Sequence, residues 1–308
     1  MNAVWPGVVY HVDASYFIFR AYHSLAGDFA DADGQPTHAL YGFARFIADL
    51  LERERPARIV VAFDPGPGGE TSYRHSIFPA YKANRAEPPP DLARQFGLCR
   101  EFCRLAGVAA FASGRYEADD LIGTFAARAR SAGLRNVLLT RDKDLAQLIR
   151  DGDLFWDGGG RDRYGYDEIG ARFGATPERL ADFLALTGDA VDNVPGVPGI
   201  GRQTASRLLA EFHSLEDLYA NLGRIATLGL RGADRVRRAL LAHRETAFFA
   251  RRLTVIQCDL PVDATLDDLR PRMPDGTAIS AFFEAQGFGA GLRRQFERIA
   301  LRAPADCG

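Results

Sequence analysis

Tryptophan and methionine are scarce in this 308-residue chain, at two of each, and there are only four cysteines. Cys99, Cys103, Cys258 and Cys307 are too few and too scattered to staple a fold, which argues against a disulfide framework; a reducing cytoplasm is the expected setting. Cys99 and Cys103 share a helical face and read as small buried apolar side chains. No apolar run nears the ~20 residues of a membrane span. The N-terminal MNAVWPGVVYHVDAS lacks the basic-then-apolar order of a secretory leader. Long repeats and low-complexity linkers are missing too. Neither sign of charge dominates, the net being −2. What remains is ordinary: 47% hydrophobic and 25% charged residues, enough for a sizeable core in one large unit or two closely packed ones.

Short β-branched runs alternate with longer helical patterns in the first half. GVVYHVDAS reads as a strand ending near Asp13, RIVVAFD as a second strand over 58–64, VAAF (108–111) as a third and NVLLT (136–140) as another. Leu40, Phe43, Phe46, Ile47 and Leu50 recur at 3–4 spacing and predict a helix over about 37–55; ADDLIGTFAARARSAG predicts another, with Gly133 at its end. Near-continuous apolar strands separated by helices imply an α/β fold with a parallel-dominated sheet covered on both faces. GGGRDR (158–163) reads as a flexible hairpin or loop, and AEPPPDL (86–92) as a stiff break between two helices. Beyond about Gly174 only helices are expected, beginning with the Thr-Pro start of ATPERLADFLALTGD and running to the C-terminus, with a frayed end after about Arg298.

Acids fall where strands should end. Asp13 closes the first strand and Asp64 the second; Glu117, Asp119 and Asp120 follow the third; Asp142 and Asp144 follow NVLLT. In open parallel sheets ligands bind outside the carboxyl ends of the strands. Each acid alone is more often a cap or turn residue, and Asp119–Asp120 suit a helix's first turn through the dipole. Their joint arrival at one edge is another matter, because two carboxylates about 5 Å apart repel by roughly 3 kcal/mol at an effective dielectric near 20. Either most are protonated or far apart, or cations neutralise them. An all-oxygen donor set favours Mg²⁺ or Mn²⁺ over zinc, and a metal pair is a recurring device for phosphodiester hydrolysis.

VDASYFIFRAYHSL, VAFD, FPAYKANR, YEADDLIGT, TRDKDLAQL and GDAVDNVPGVPGIGRQTA occur here in the order found in the 5′-nuclease domain of bacterial DNA polymerase I. From about residue 8 to at least 215, and more loosely to about 290, the chain resembles that 5′→3′ exonuclease/flap endonuclease family. The resemblance adds Asp189 and Asp192. It implies one metal site around Asp13, Asp64, Glu117, Asp119 and Asp120, with Asp142, Asp144, Asp189 and Asp192 completing a second. Setting nine metal-serving acids aside leaves the rest of the chain basic, so the net charge is no argument against nucleic acid.

The same resemblance implies a nuclease core over 1–174 with a helical arch at about 72–100, and a helical DNA-binding region over 175–308. Lys82 and Arg85 would lie in the arch and offset charge on the scissile phosphate, with Arg20 as a third catalytic cation and Tyr81 stacking on a base. A helix–hairpin–helix at about 189–211 would bring Gly196, Gly199 and Gly201 close to duplex phosphates beside Arg202 and Thr204, and K⁺ could sit on its carbonyls. Departures are Ala190 or Val191 where many relatives have Ser, and Arg202-Gln203 where many have Glu-Lys, which moves a charge by one position and leaves the strength and register of duplex contact open.

The expected activity is metal-dependent hydrolysis of DNA at or near 5′ ends and 5′ flaps, giving 5′-phosphate products, with an RNA–DNA hybrid as a further substrate. With no room for a polymerase domain before residue 308, a monomer acting alone or with a separate DNA polymerase is expected. Two rivals are a structure-specific DNA-binding protein whose chemistry has decayed and an RNase on a similar acid-edged fold. Decay should have cost several acids, and such RNases usually lack the GVPGIG hairpin.

Overall fold

The computed structural model describes residues 7–25, 29–65, 72–158 and 160–302. Strands β1 (Val8–Asp13), β2 (Ile59–Phe63), β3 (Ala109–Ala112), β4 (Arg135–Thr140), β5 (Leu154–Asp157) and β6 (Arg163–Tyr164) form one sheet in the order β3-β2-β1-β4-β5-β6. All neighbours pair in parallel except β5 with β6, which are antiparallel, with Asp157 N–H donating to the Asp162 carbonyl where the sequence predicts a hairpin or loop. Because successive side chains point to opposite faces, each central strand feeds two cores. Val8, Tyr10 and Val12 of β1, with Ile59, Val61 and Phe63 of β2, pack under α1 (Ala14–Ser24), α2 (His38–Arg53) and α4 (Pro90–Leu105). Val9 and Val60 face Phe125 and Ala129 of α5 (Ala118–Ser131) on the other side.

This arrangement dictates where a site can lie. The β1→β2 and β2→β3 crossovers use the α1/α2/α4 face, whereas α5 carries the chain across to the opposite face before β4. Chain direction therefore diverges between β1 and β4, and a crevice opens beyond their carboxyl ends. Asp13 ends β1 there, and Thr140 ends β4.

Beyond Phe173 the sheet gives way to α7 (Leu180–Thr187), α8 (Arg202–Glu211), α9 (Leu215–Ala220), α10 (Ala233–Ala242) and α11 (Arg244–Thr254); α3 (Tyr73–Ile77) and α6 (Tyr166–Phe173) are short. The expected run of helices is interrupted. Residues 255–275 form a non-helical strap along α5 and β2, with Ile59 N–H donating to the Leu269 carbonyl (2.8 Å) and Arg128 donating to the carbonyls of Leu260, Val262 and Ala264. Then α12 (Gly276–Ala285) and α13 (Ala290–Arg302) leave the helical region and place Phe283, Phe288, Leu292 and Phe296 in the core beneath α2 and α4. Residues 72–100, expected as a helical arch, consist of α3, a run of turns over 78–85 and the start of α4; α4 belongs to the sheet's cover, with Cys99 and Cys103 buried as expected.

His11 illustrates a buried polar group in the sheet. Its Nε2 pairs with Asn136 Oδ1 at 2.8 Å, and burial, opposed by that bond, lowers its pKa to about 4. The unfolded chain takes up this proton near pH 6.5 and the folded one only near 4, so stability present above 6.5 is lost as the pH falls through that window. The loss approaches about 3 kcal/mol. In thermal melts, His11→Gln should flatten the decline of the melting temperature between pH 6.5 and 4 relative to wild type; parallel curves would contradict it.

Candidate active site

Each acid reaches the crevice from a defined local motif. Asp13 ends β1 and caps α1, its Oδ1 accepting from Tyr16 N–H (3.3 Å) and its Oδ2 from the Thr140 hydroxyl (2.8 Å). Thr140 Oγ1 also accepts from Asp142 N–H, so one threonine aligns two acids. Asp64, just past β2, accepts from Ala118 N–H (2.9 Å) at the start of α5, while Asp142 caps the 3₁₀ turn Lys143–Leu148 through Asp144 N–H.

Crowding shows in the titration behaviour. Burial first, then the neighbouring Asp64, pushes the Asp13 carboxyl up to about 7. Burial, then Asp142, does the same for Asp144, also to about 7. Asp119 rises well above the usual carboxylate range through burial and the charges of Asp142, Asp13 and Asp64. Asp142 is raised as well, by burial, although Asp144 N–H and Lys143 oppose it. These acids form one electrostatic neighbourhood.

Cations hold the remaining carboxylates. Lys82 Nζ lies 3.1 Å from Glu117 Oε1 and 3.8 Å from Asp192 Oδ2, and Arg85 pairs with Asp192. Lys143 Nζ is 2.6 Å from Asp189 and 3.3 Å from Asp144 Oδ1. Burial works against ionising Asp189, but the bond and charge of Lys143, together with the N–H groups of Val191 and Asp192, outweigh it and hold this carboxyl below its ordinary value. Among the described residues no three acids already stand as a preformed metal cage. The acids share a crevice with lysines and arginine interposed. Asp144 Oδ1 is buried and takes no hydrogen bond, only the ionic contact of Lys143, and a divalent ion would displace the protons that such crowded carboxyls otherwise hold. The donor set fits such an ion.

Several expectations need correction. Asp120 is not part of the crevice. It is fully buried, and both its oxygens are taken by Arg74, Nη1 at 2.7 Å and Nη2 at 2.8 Å, with further bonds from the N–H groups of Glu117 and Gln257. Consecutive helical residues point about 100° apart, so Asp119 and Asp120 cannot face the same way. Tyr81 cannot stack on a base either, because it is buried with its hydroxyl donating to Glu117 (3.2 Å) and Asp192 (3.3 Å). Among the described residues Arg20 meets none of these acids; about two turns along α1 from Asp13, it donates to the Gly158 carbonyl and lies over Tyr16 and Phe17, lining a cleft of about 540 Å³ between α1 and α2.

FPAYKANR is a stitched turn. Lys82 N–H donates to the Asp192 carbonyl, Asn84 to the Ala190 carbonyl and Asn193 to the Ala80 carbonyl. Both Lys82 and Asn193 take positive φ, near 55°, to make this lacing. Sequence reasoning found neither these asparagines nor Lys143 nor Arg74. Arg74 is buried and also donates to Glu117 and to the carbonyls of Leu253 and Val255.

At the expected hairpin, Gly196 serves the chain itself: a Cβ there would stand 2.4 Å from Gly188 N. Gly199 (φ +82°) and Gly201 are open to solvent, and Thr204 is half-buried. Arg202 donates to the Phe173 carbonyl (3.0 Å) and lies over the Phe183 ring.

An acid-lined crevice at the strand-order reversal of a parallel sheet, backed by helices and an exposed glycine hairpin, defines a phosphodiester-cleaving class of protein, a nuclease. Residues 8–174 match the model of the 5′-3′ exonuclease N-terminal resolvase-like domain, and residues 175–277 that of the 5′-3′ exonuclease C-terminal SAM fold. The chain belongs to the 5′-3′ exonuclease family. It is 36% identical over 287 residues to DNA polymerase I of Bacillus caldotenax, covering 92% of this chain and 32% of that protein. To the thermostable DNA polymerase I of Thermus filiformis it is 37% identical over 309 residues, covering 98% and 34%. The chain thus spans about a third of the length of these relatives. Among solved structures, T5 5′-exonuclease with bound zinc aligns with a TM-score of 0.64 at 21% identity, covering 95% of this chain and 98% of that one. Flap endonuclease-1 from Methanococcus jannaschii aligns at 0.61 and 14%, covering 96% and 92%. These two likenesses show the fold. No helix of the described residues is long and apolar enough to cross a membrane.

Proposed function

We propose that this protein hydrolyses DNA phosphodiesters at or near 5′ ends and 5′ flaps, releasing 5′-phosphate products, with Mg²⁺ or Mn²⁺ as the working ions. The observation that carries this reading is the gathering of Asp13, Asp64, Glu117, Asp119, Asp142, Asp144, Asp189 and Asp192 around one crevice, with Lys82 and Arg85 among them. Those acids would hold the ions, and a bound pair would supply Lewis acidity at the scissile phosphate. The chain's own part is to orient and to neutralise. Thr140 fixes Asp13 and Asp142, while Lys82 and Arg85 present positive charge where the phosphate's charge develops.

In this reading residues 1–174 carry the hydrolysis and the region from 175 grips duplex DNA, with K⁺ on the hairpin carbonyls as a structural ion. RNA in an RNA–DNA hybrid is a further substrate, and the protein works in the cytoplasm as a monomer beside a separate DNA polymerase. The relatives are DNA polymerases and the structural neighbours include T5 flap endonuclease with DNA and metal ions, which supports DNA as the substrate.

A labelled 5′-flap duplex incubated with the protein should be cut near the junction in Mg²⁺ and left intact in EDTA, with product length reporting exonuclease against endonuclease cutting. Flap binding without cleavage in either Mg²⁺ or Mn²⁺ would identify a binding protein. Preference for single-stranded RNA in competition would identify an RNase.

A further inference from the structure

Among the described residues, the hairpin that should hold duplex DNA has no unengaged arginine of its own. Both arginines within 189–211 are held by the chain itself: Arg202 by the Phe173 carbonyl and the Phe183 ring, and Arg207 by the Leu228 carbonyl at 2.7 Å. The exposed tip, Pro198–Gly199, is flanked instead by a residue distant in sequence: Arg235 Nη2 lies 3.7 Å from where a Cβ on Gly199 would stand.

Arg235 belongs to an unusual cluster. Arg231, Arg235, Arg237 and Arg238 are all exposed, and none has a carboxylate partner among the described residues. Elsewhere arginines are heavily paired, as in Arg224 with Glu211 and Arg251 with Glu216 and Asp182. Val236 and Leu240 bury the opposite side of α10. Arg235 and Arg238, three residues apart, therefore share the outward flank, while Arg237 projects to the other. Asp234, in the same helical turn, is exposed and is the one acid in this stretch. Guanidinium groups held in solvent without internal partners are arranged for an external anion, and the planar fork of arginine suits phosphate oxygens.

We propose that Arg235, assisted by Arg238, is the cation of the hairpin, gripping the phosphodiester backbone of duplex DNA beside Gly199 and Gly201. The inference rests on the proposed function. It adds the anchor for the duplex arm and transfers the charge of the hairpin from Arg202 to a helix some thirty residues further on. Contacts of this kind position without reading sequence, and each one releases about one counterion.

The test measures binding of a fluorescent 5′-flap duplex in Ca²⁺ across a salt series, for wild type and for Arg235→Gln, Arg235→Lys, Arg202→Gln and Arg237→Gln. Arg235→Gln should lower the slope of log K against log salt by about 0.9 and weaken binding by about an order of magnitude at 0.1 M salt. Arg235→Lys should restore most of the slope, Arg237→Gln should keep it, and Arg202→Gln should lower it by less than Arg235→Gln. Binding of a single-stranded oligonucleotide should be unaffected by Arg235→Gln. Wild-type affinity and slope for Arg235→Gln would overturn the inference while leaving the proposed function standing, as would an equal loss in Arg237→Gln, which would mark diffuse attraction. A wild-type protein that ignores flapped DNA would overturn both, and that result is distinct from the others.

Discussion

Asp119→Asn should raise the melting temperature of the metal-free protein while abolishing DNA cleavage. Asp119 receives no hydrogen bond from the described residues and faces Asp142, Asp13 and Asp64, with Lys82 offsetting them only in part. Removing its charge relieves repulsion of about 1–3 kcal/mol, a shift of a few degrees for a chain of this size. The same charge is needed when a divalent ion arrives, so turnover should fall by about a thousandfold or more. Mg²⁺ should then stabilise wild type more than the variant, because an ion that binds only the folded state raises its stability according to its affinity. Calorimetry in EDTA and in Mg²⁺, with a flap-cleavage assay, checks all three. A variant that melts below wild type in EDTA, or that cuts at the wild-type rate, would remove Asp119 from the site.

Arg74→Met should do the opposite to stability. Its guanidinium binds both oxygens of Asp120, one of Glu117, and the carbonyls of Leu253 and Val255, all in a nearly water-free setting. Deleting it strands the fully buried Asp120 carboxylate, which costs about 3–5 kcal/mol and roughly ten degrees of melting temperature. Cleavage should fall too, because Glu117 and the start of α3 lose their anchor while Lys82 relies on Glu117 for its position. The double variant Arg74→Met/Asp120→Asn separates the two effects. The amide has the carboxylate's size and no charge to strand, so stability should partly return, whereas activity should not, since Glu117 still lacks its partner. Equal melting temperatures for the single and double variants would show that the pair is not the source of the loss.

Asp13, Asp64, Asp142 and Asp144 were legible in the sequence because a strand's last residues advertise themselves: a β-branched run stops and an acid follows. The parallel-dominated sheet was equally accessible, since apolar strands separated by helices imply it; the order of the strands was not. Arg74 gave no such signal. One arginine in a five-residue helix carries no periodicity, and its partners lie 43 and 46 residues away and at 253–255. Asp120 was misassigned for want of an angle that the sequence does contain, the turn between adjacent helical positions. Tyr81 read as an exposed aromatic because FPAYKANR is locally polar; its burial comes from lacing to residues 190–193, a contact over more than a hundred positions. The strap at 255–275 and the return of α12 and α13 were hidden for the same reason. Both are fixed by surfaces that no local pattern reports.

That return has a consequence for what counts as a unit. The C-terminal family model ends at residue 277, yet beyond it Phe283 and Phe296 are fully buried against Phe102, whose ring meets theirs at 6.0 and 5.6 Å. A cut at that border would open the molecule: the last helices complete the oily interior on which the first strand's aspartate depends for its footing.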